Sequence, residues 1–507
     1  MTLPPTNTIS ATDAKRAARN VGVLMGASIL SKGLLFAWQI VLNNWLGATQ
    51  SGVYGTVLGL FAVIAPLTGL GMGMIAIREI AKTPERIGQY ATIMLFSQTA
   101  LSGLAYIVLV ASGTIYGGDI LAYTAIAGIS LIIDMFGSIA TDLFIAQEKM
   151  LITSSMEIVN VVIRVVLAGF ALWAGWGLLG VYIATIISGI IRSGSLWAIH
   201  WVQKLQLDWH IDWKHIGIPM IIDTVPLAAG AALSLGYDHA DKLMMTGIIG
   251  ETNTGYLQPA FLIHFGIIEL FSTAILVAMY PLMARYHSEK NENDTFGFIV
   301  EKLMRFMLML ALPVAIGLTI FSEDVIRLIF TDEFLPTIPI LQVYVWYTLF
   351  TLVSNVFARA LLIQNRQGYT LIVTGAALTL NIIVNYVLLT QTGNPIGAAI
   401  ASVMAQAFAL ILLAQTFRAN GFSWLTILPS ISRLLVVGLV AGAVMIFVGQ
   451  VFWILGLIAG SIVYLIGIFF GRVLSEADWD LLYRLTSALP FGSIIRRYWQ
   501  RDITINW

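Results

Sequence analysis

The feature that most constrains this chain is a succession of apolar runs, each about as long as a bilayer-spanning helix needs. They follow one another from residue 20 to residue 471, separated by short polar connections. Such runs are continuous, not alternating, so they read as helices and not as strands of a barrel. Only 11% of residues are charged, against about 25% in a soluble domain. A chain so poor in charge cannot cover its surface against water and requires lipid as solvent. The expected class is an all-α polytopic membrane protein.

Spans are expected at 20–42, 53–75, 89–112, 119–141, 153–174, 178–200, 215–237, 256–280, 300–321, 338–362, 369–391, 396–417, 430–449 and 452–471, about 14 transmembrane helices in all. Lys and Arg alternate between the connections. Lys15, Arg16, Arg19, Arg78, Lys82, Arg86, Lys149, Arg192, Lys204, Lys214, Arg285, Lys290, Lys302, Arg366 and Arg418 fall on one side, together with the tail arginines Arg472, Arg484, Arg496, Arg497 and Arg501. Lys242 and Arg327 fall on the other. The positive-inside rule then places both termini in the cytoplasm, in the cytoplasmic (inner) membrane. The first 19 residues lack an apolar core, so no cleavable signal peptide is expected.

Two segments recur. Leu46-Gly47-Ala48-Thr49-Gln50-Ser51-Gly52 resembles Ile249-Gly250-Glu251-Thr252-Asn253-Thr254-Gly255, at an offset of 203 positions (47 to 250). Gly180-Val181-Tyr182-Ile183-Ala184-Thr185 resembles Gly397-Ala398-Ala399-Ile400-Ala401-Ser402, at an offset of 217 (180 to 397). The copies lie six spans apart and point the same way. They predict two parallel six-helix lobes, 1–200 and 215–417, around a central cavity. Chance similarity among short Gly- and Ala-rich matches is the bland alternative. A linker at 201–214 joins the lobes; its Trp201 and Trp209, with Trp213, suit the membrane interface. Spans 13 and 14 occupy 418–471, and an amphipathic tail, 472–507, is expected on the cytoplasmic surface.

A charge at the bilayer centre costs ~2.5 kcal/mol or more, so each needs a reason. Lys32 lies about 18 Å along span 1 at ~1.5 Å per residue, and Ser28, Lys32, Gln39 and Asn43 share a face with it. Glu157, Asn160 and Arg164 share a face of span 5, and Asn381 and Asn385 form an i, i+4 pair in span 11. Lys32, Gln39, Asn43, Asn160, Arg164, Asn381 and Asn385 are expected to line a substrate path. Asp134, Asp223 and Glu269 are expected to serve a coupling ion, sodium or proton. The structural alternative pairs Arg164 with Asp134 or Glu157. Asp238, Asp241 and Lys242 are expected to form a solvated or interfacial cluster near the outer end of span 7, and His264 to be a packing residue. Pro219, Pro226, Gly230 and Gly236 predict a kinked or interrupted span 7, and Pro66, Gly69, Gly71 and Gly73 the same for span 2.

Zero net charge argues against a nucleic-acid partner. The chain has no cysteine, no GxxxxGK[ST] loop and no HExxH, so thiol chemistry, nucleotide binding by that route and that zinc motif are excluded. No cofactor and no resident metal are expected, and no loop is large enough for an enzymatic domain.

Several segments carry a family resemblance: Ala18-Arg19-Asn20-Val21, Leu46-Gly47 with Gly52-Val53-Tyr54, Ile77-Arg78-Glu79-Ile80-Ala81, Asp241-Lys242 before Ile249-Gly250 and Gly255-Tyr256, and Ile396-Gly397-Ala398-Ala399-Ile400-Ala401. In that order the chain resembles the polysaccharide-export, Wzx-type flippases of the MOP superfamily. The resemblance implies two lobes, a central cavity, and export of an oligosaccharide linked to a polyprenyl diphosphate, with cationic cavity residues meeting the diphosphate. It also implies that Lys32 stands where lipid II flippases place basic residues. Expected partners are the lipid-linked oligosaccharide, membrane lipid and glycan-assembly proteins. An ion-coupled drug or metabolite exporter of the MATE kind, and a non-transporting scaffold of a glycan-assembly complex, are the competing readings.

Overall fold

The computed structural model describes residues 11–210, 212–288, 293–419, 422 and 424–471; the expected tail 472–507 lies outside them. Every regular element among the described residues is helical. Among the described residues twelve helices are long and apolar enough to cross a bilayer, against the fourteen expected spans. Spans 1 and 2 fall within one stretch, Leu30–Lys82. Span 8 is divided into Glu251–Ile268, a π-turn at Glu269–Thr273, and Ala274–Ser288. Large apolar side chains such as Leu439 (73%) and Phe447 (78%) remain exposed, as a lipid-solvated surface requires.

Spans 1 and 2 meet without a connecting loop because Gly47 adopts φ 71° and ψ 178°, a conformation that an L side chain resists. The Glu333 carboxylate occupies the space where a side chain would stand. It accepts the Ala48 N–H at 2.7 Å, one of the orphan donors at the new helix start. Gly250 repeats the geometry before span 8, with φ 89° and ψ 166°.

The two repeat segments lie against each other about a local two-fold. Thr49 and Thr252 share a hydrogen bond between their hydroxyls, 2.9 Å apart and 203 positions apart in sequence. A Cβ on Gly52 would strike the Glu251 carbonyl, and a Cβ on Gly255 would strike the Ala48 carbonyl. Residue i of one copy thus meets j of the other, and j meets i. In the second repeat each copy makes the same contact with its own preceding helix, Gly180 with Ala171 and Gly397 with Leu388, so both members keep the 217 offset.

Span 2 breaks as its glycines predict. Pro66–Gly69 is a separate turn, Leu70 and Gly71 take φ of 48° and 82°, and Met72–Lys82 resumes. Span 7 shows no interruption. Pro219 sits in the first turn, where its missing N–H has no helical partner to lose, and the helix Ile218–Ile249 continues through Pro226.

The chain forms two compact units. The first comprises Met1–Gly266, Ile326–Ile340 and Leu371–Ala405. One of its cores joins Trp38, Leu42, Val53 and Val57 to Leu172, Val181 and Tyr182. Another joins Met72 and Ile80 to Ile93, Met94, Met135 and Leu143, with Leu205 and Leu207 of the linker packed onto it. Trp209 meets Phe96 edge-on at 6.2 Å. Asp212 caps the next turn by accepting the His215 N–H at 3.0 Å, which holds its carboxyl below the usual carboxylate range. The second unit comprises Ile267–Val325, Leu341–Thr370 and the chain from Gln406 onward. Its core gathers Ala311, Leu312, Val345, Leu352, Leu434 and Tyr464.

Candidate functional site

Asp241 and Lys242 are neighbours on the span 7 helix, so their side chains leave it about 100° apart and meet different partners. Both are buried, at 4% and 3% exposure. The expectation of a solvated or interfacial outer cluster is therefore overturned for these two; Asp238 is exposed. Their surroundings come from helices distant in sequence, which span 7 alone does not reveal.

Asp241 faces spans 11 and 12. Asn381 and Asn385, one turn apart on one helical face, donate to its Oδ1 at 2.9 and 2.7 Å. Ser402 donates to Oδ2. Asn385 also donates to Asn381 Oδ1 at 3.0 Å, which leaves the buried Asn385 Oδ1 without a hydrogen-bond partner. Three donors on one buried carboxylate make a charge-assisted network.

Lys242 faces span 8. Its ammonium stands 3.2 Å from the centroid of the Phe261 ring. His239 and His264 flank the same ring, at 5.5 and 6.4 Å between centroids. Among the described residues no carboxylate lies within 4.0 Å of this ammonium. Burying a cation costs several kcal/mol. A desolvated cation–π contact returns about 2 kcal/mol. Asp241 is already engaged by its three donors. Asp241 and Asp238 lie within electrostatic reach of the ammonium, and among the described residues neither contacts it directly.

A second polar group lies in spans 1, 2, 4, 5 and 6. The Asn160 amide, oriented by its neighbours, donates to the Ser188 hydroxyl and carbonyl at 3.3 and 3.2 Å and accepts from Arg164 at 3.3 Å. Glu157 pairs with Arg192 at 3.3 Å, not with Arg164 on its own helix. Arg164 Nε is buried without a partner. Asp134 and Tyr54 lie within electrostatic reach of this guanidinium. Gln39 donates to the Tyr54 hydroxyl at 3.1 Å, and Tyr54 and Tyr123 pack on Tyr182 at 6.0 and 5.5 Å.

The stripe expected on span 1 divides. Lys32 is exposed, Gln39 is half-buried and Asn43 is buried at 3%; the side chain of Ser28 lies outside the described ones. Asp223 is exposed, and Glu269 opens the π-turn that divides span 8, an irregularity often found at functional positions. The residues that sequence reasoning passed over are Lys242 and Asp241, read as interfacial, and Asn44, Tyr54 and Glu333, which carried no depth signal.

Residues 17–287 match the family model for polysaccharide biosynthesis proteins, and residues 245–466 match the model for the lipid II flippase MurJ. A Haloferax volcanii protein described as the probable low-salt glycan biosynthesis flippase Agl15 is 23% identical over 446 residues, covering 84% of this chain and 89% of its own length. The lipid II flippase MurJ in an inward closed conformation shares the fold, with TM-score 0.68 and 17% identity over 89% of this chain and 98% of that one. An inward-facing multidrug resistance MATE transporter of the MOP superfamily gives TM-score 0.62 and 15% identity over 78% and 99%. The first family match spans more than half of the 507 residues. The resemblance read from the sequence is therefore borne out, and the chain belongs to the polysaccharide biosynthesis protein family, as a multi-pass membrane protein with the MOP-superfamily fold.

Proposed function

We propose that this protein is a flippase that moves a polyprenyl-diphosphate-linked oligosaccharide from the cytoplasmic to the outer leaflet by alternating access. The observation that carries this reading is the buried Lys242 ammonium, which has an aromatic ring beside it and, among the described residues, no carboxylate within 4.0 Å. A diphosphate is the anion such a site would welcome in passing. The polyprenyl tail stays in lipid while the sugar and diphosphate cross along polar side chains. Relatives described as a glycan-biosynthesis flippase and a lipid II flippase support the same cargo class.

Lys32 and Arg164 are further cations for this path, and Gln39, Asn43, Asn160, Asn381 and Asn385 its neutral polar groups. Asp134, Asp223 and Glu269 are the acids for a coupling ion, sodium or proton. Asp241 with the orphan Asn385 oxygen adds an oxygen pair of the kind that hard cations favour. The lysine and arginine asymmetry supports an inner-membrane location with both termini cytoplasmic. The cargo leaves chemically unchanged, so no catalytic group is required, and glycan-assembly proteins are the partners that would supply and receive it.

In cells that depend on this protein, Lys32→Ala is expected to lower surface glycan with protein level retained. Undiminished glycan would remove the role given to Lys32 and leave that of Lys242 standing. A MATE-type exporter is the second reading, favoured by the 0.62 fold match. Raised drug susceptibility on deletion, with surface glycan unchanged, would select it.

A further inference from the structure

We infer that the segment Ile326–Ile340 is an outer latch: held by Asn44 and holding Ala48 through its own Glu333, it keeps the Gly47 and Gly250 helix ends together, and its release lets that end of the protein open. The word "outer" and the transport cycle rest on the reading proposed above; the contacts themselves do not.

The segment grips both repeat copies. Asn44 uses its whole amide, donating to the Ile329 carbonyl at 2.8 Å and accepting the Thr331 N–H at 3.1 Å. Glu333 accepts the Ala48 N–H at 2.7 Å and fills the side-chain space of Gly47. On the second copy, Thr337 donates to the Tyr256 carbonyl at 2.7 Å. Phe330 and Phe334, exposed by 5% and 0%, anchor the segment with their rings 5.7 Å apart. One short stretch of chain therefore spans the place where the two copies meet.

The chemistry suits repeated release. Thr331 and Glu333 are exposed, so water can replace their partners when the contacts part. The meeting line itself is largely backbone against backbone at Gly52 and Gly255, which depends on the helix ends being held in register. A carboxylate on a helix-start N–H is a charge-assisted bond, strong enough to bias a two-state equilibrium and weak enough to break in each cycle. The chain enters the latch after Val325 and leaves it before Leu341, both in the second compact unit.

The absence of native cysteine allows a direct test on the full-length protein in membranes. Thr49→Cys with Thr252→Cys reports closure through disulfide formation under mild oxidation. Thr56→Cys, at a site with 0% exposure, reports opening through labelling by a membrane-impermeant maleimide. Glu333→Gln combined with Asn44→Ala is expected to reduce cross-linking and to raise labelling, each about tenfold, as loss of charge-assisted bonds implies. Unchanged cross-linking and labelling would overturn the latch. Should the double variant fail to fold, Glu333→Gln alone changes charge at constant shape and is judged by the same two readouts. Neither readout involves a lipid cargo, so the latch and the flippase reading can fail separately.

Discussion

Lys242→Met is expected to leave the protein folded and to stop transport. Methionine fills similar volume against Phe261 and removes a buried charge whose desolvation is unfavourable. Asp241 keeps its three donors, so no carboxylate is stranded. The thermal unfolding midpoint should be unchanged or higher, while cargo transfer falls at least about tenfold, the lower end expected when one partner of a desolvated charge pair is removed. Asp241→Ala is expected to do the opposite to stability. It takes the shared carboxylate from Asn381, Asn385 and Ser402, of which Asn385 and Ser402 keep their bonds to Asn381 Oδ1 and the Ala398 carbonyl, and removes the acid next to the Lys242 charge, leaving Asp238 within electrostatic reach, a loss of about 3–5 kcal/mol. In Asp241→Ala combined with Lys242→Met, part of that loss should return, because the stranded cation is gone. A Lys242→Met protein that is stable and fully active would show the ammonium to be an ornament of packing.

Gly255→Ala is expected to be strongly damaging for so small a substitution. The added Cβ would fall on the Ala48 backbone carbonyl, and a backbone cannot move aside as a flexible side chain does. The two helices must separate, which costs about 1–3 kcal/mol for overpacking and disrupts the Thr49 and Thr252 pair. Gly52→Ala should match it, since its Cβ would strike the Glu251 carbonyl by the same local symmetry. Gly103→Ala is the control. That glycine has open space around it and lies inside the helix Ile87–Gly113, so alanine should be neutral or stabilise by up to ~1 kcal/mol. Thermal unfolding of the three variants decides the matter. Equal midpoints for Gly255→Ala and Gly103→Ala would mean that the copies are not in backbone contact.

Features set by local sequence were legible in advance. Apolar run length fixed the helical class, and Pro66 with Gly69 and Gly71 marked the break in span 2. The Leu-Gly and Ile-Gly repeats marked Gly47 and Gly250, two glycines that share an unusual backbone conformation. Features set by tertiary neighbours were not. Asp241 sits near the end of its span, where a solvated position is the natural reading. Asn381 and Asn385, 140 and 144 positions away, convert it into a buried anion. Those two asparagines were identified as functional candidates from their i, i+4 spacing, but their partner could not be named. Glu157 shared a helical face with Arg164, yet a different helix supplied Arg192. Helical periodicity finds which residues share a face; it does not find what that face meets.

The most direct measurement is leaflet transfer by the purified full-length protein in liposomes carrying a polyprenyl-diphosphate-linked oligosaccharide, with access of an external sugar-modifying reagent as the readout. The account predicts transfer well above protein-free liposomes, competed by diphosphate-bearing lipids and not by cationic drugs. Transfer no faster than in protein-free liposomes, or competition by cationic drugs in place of diphosphate lipids, would contradict it.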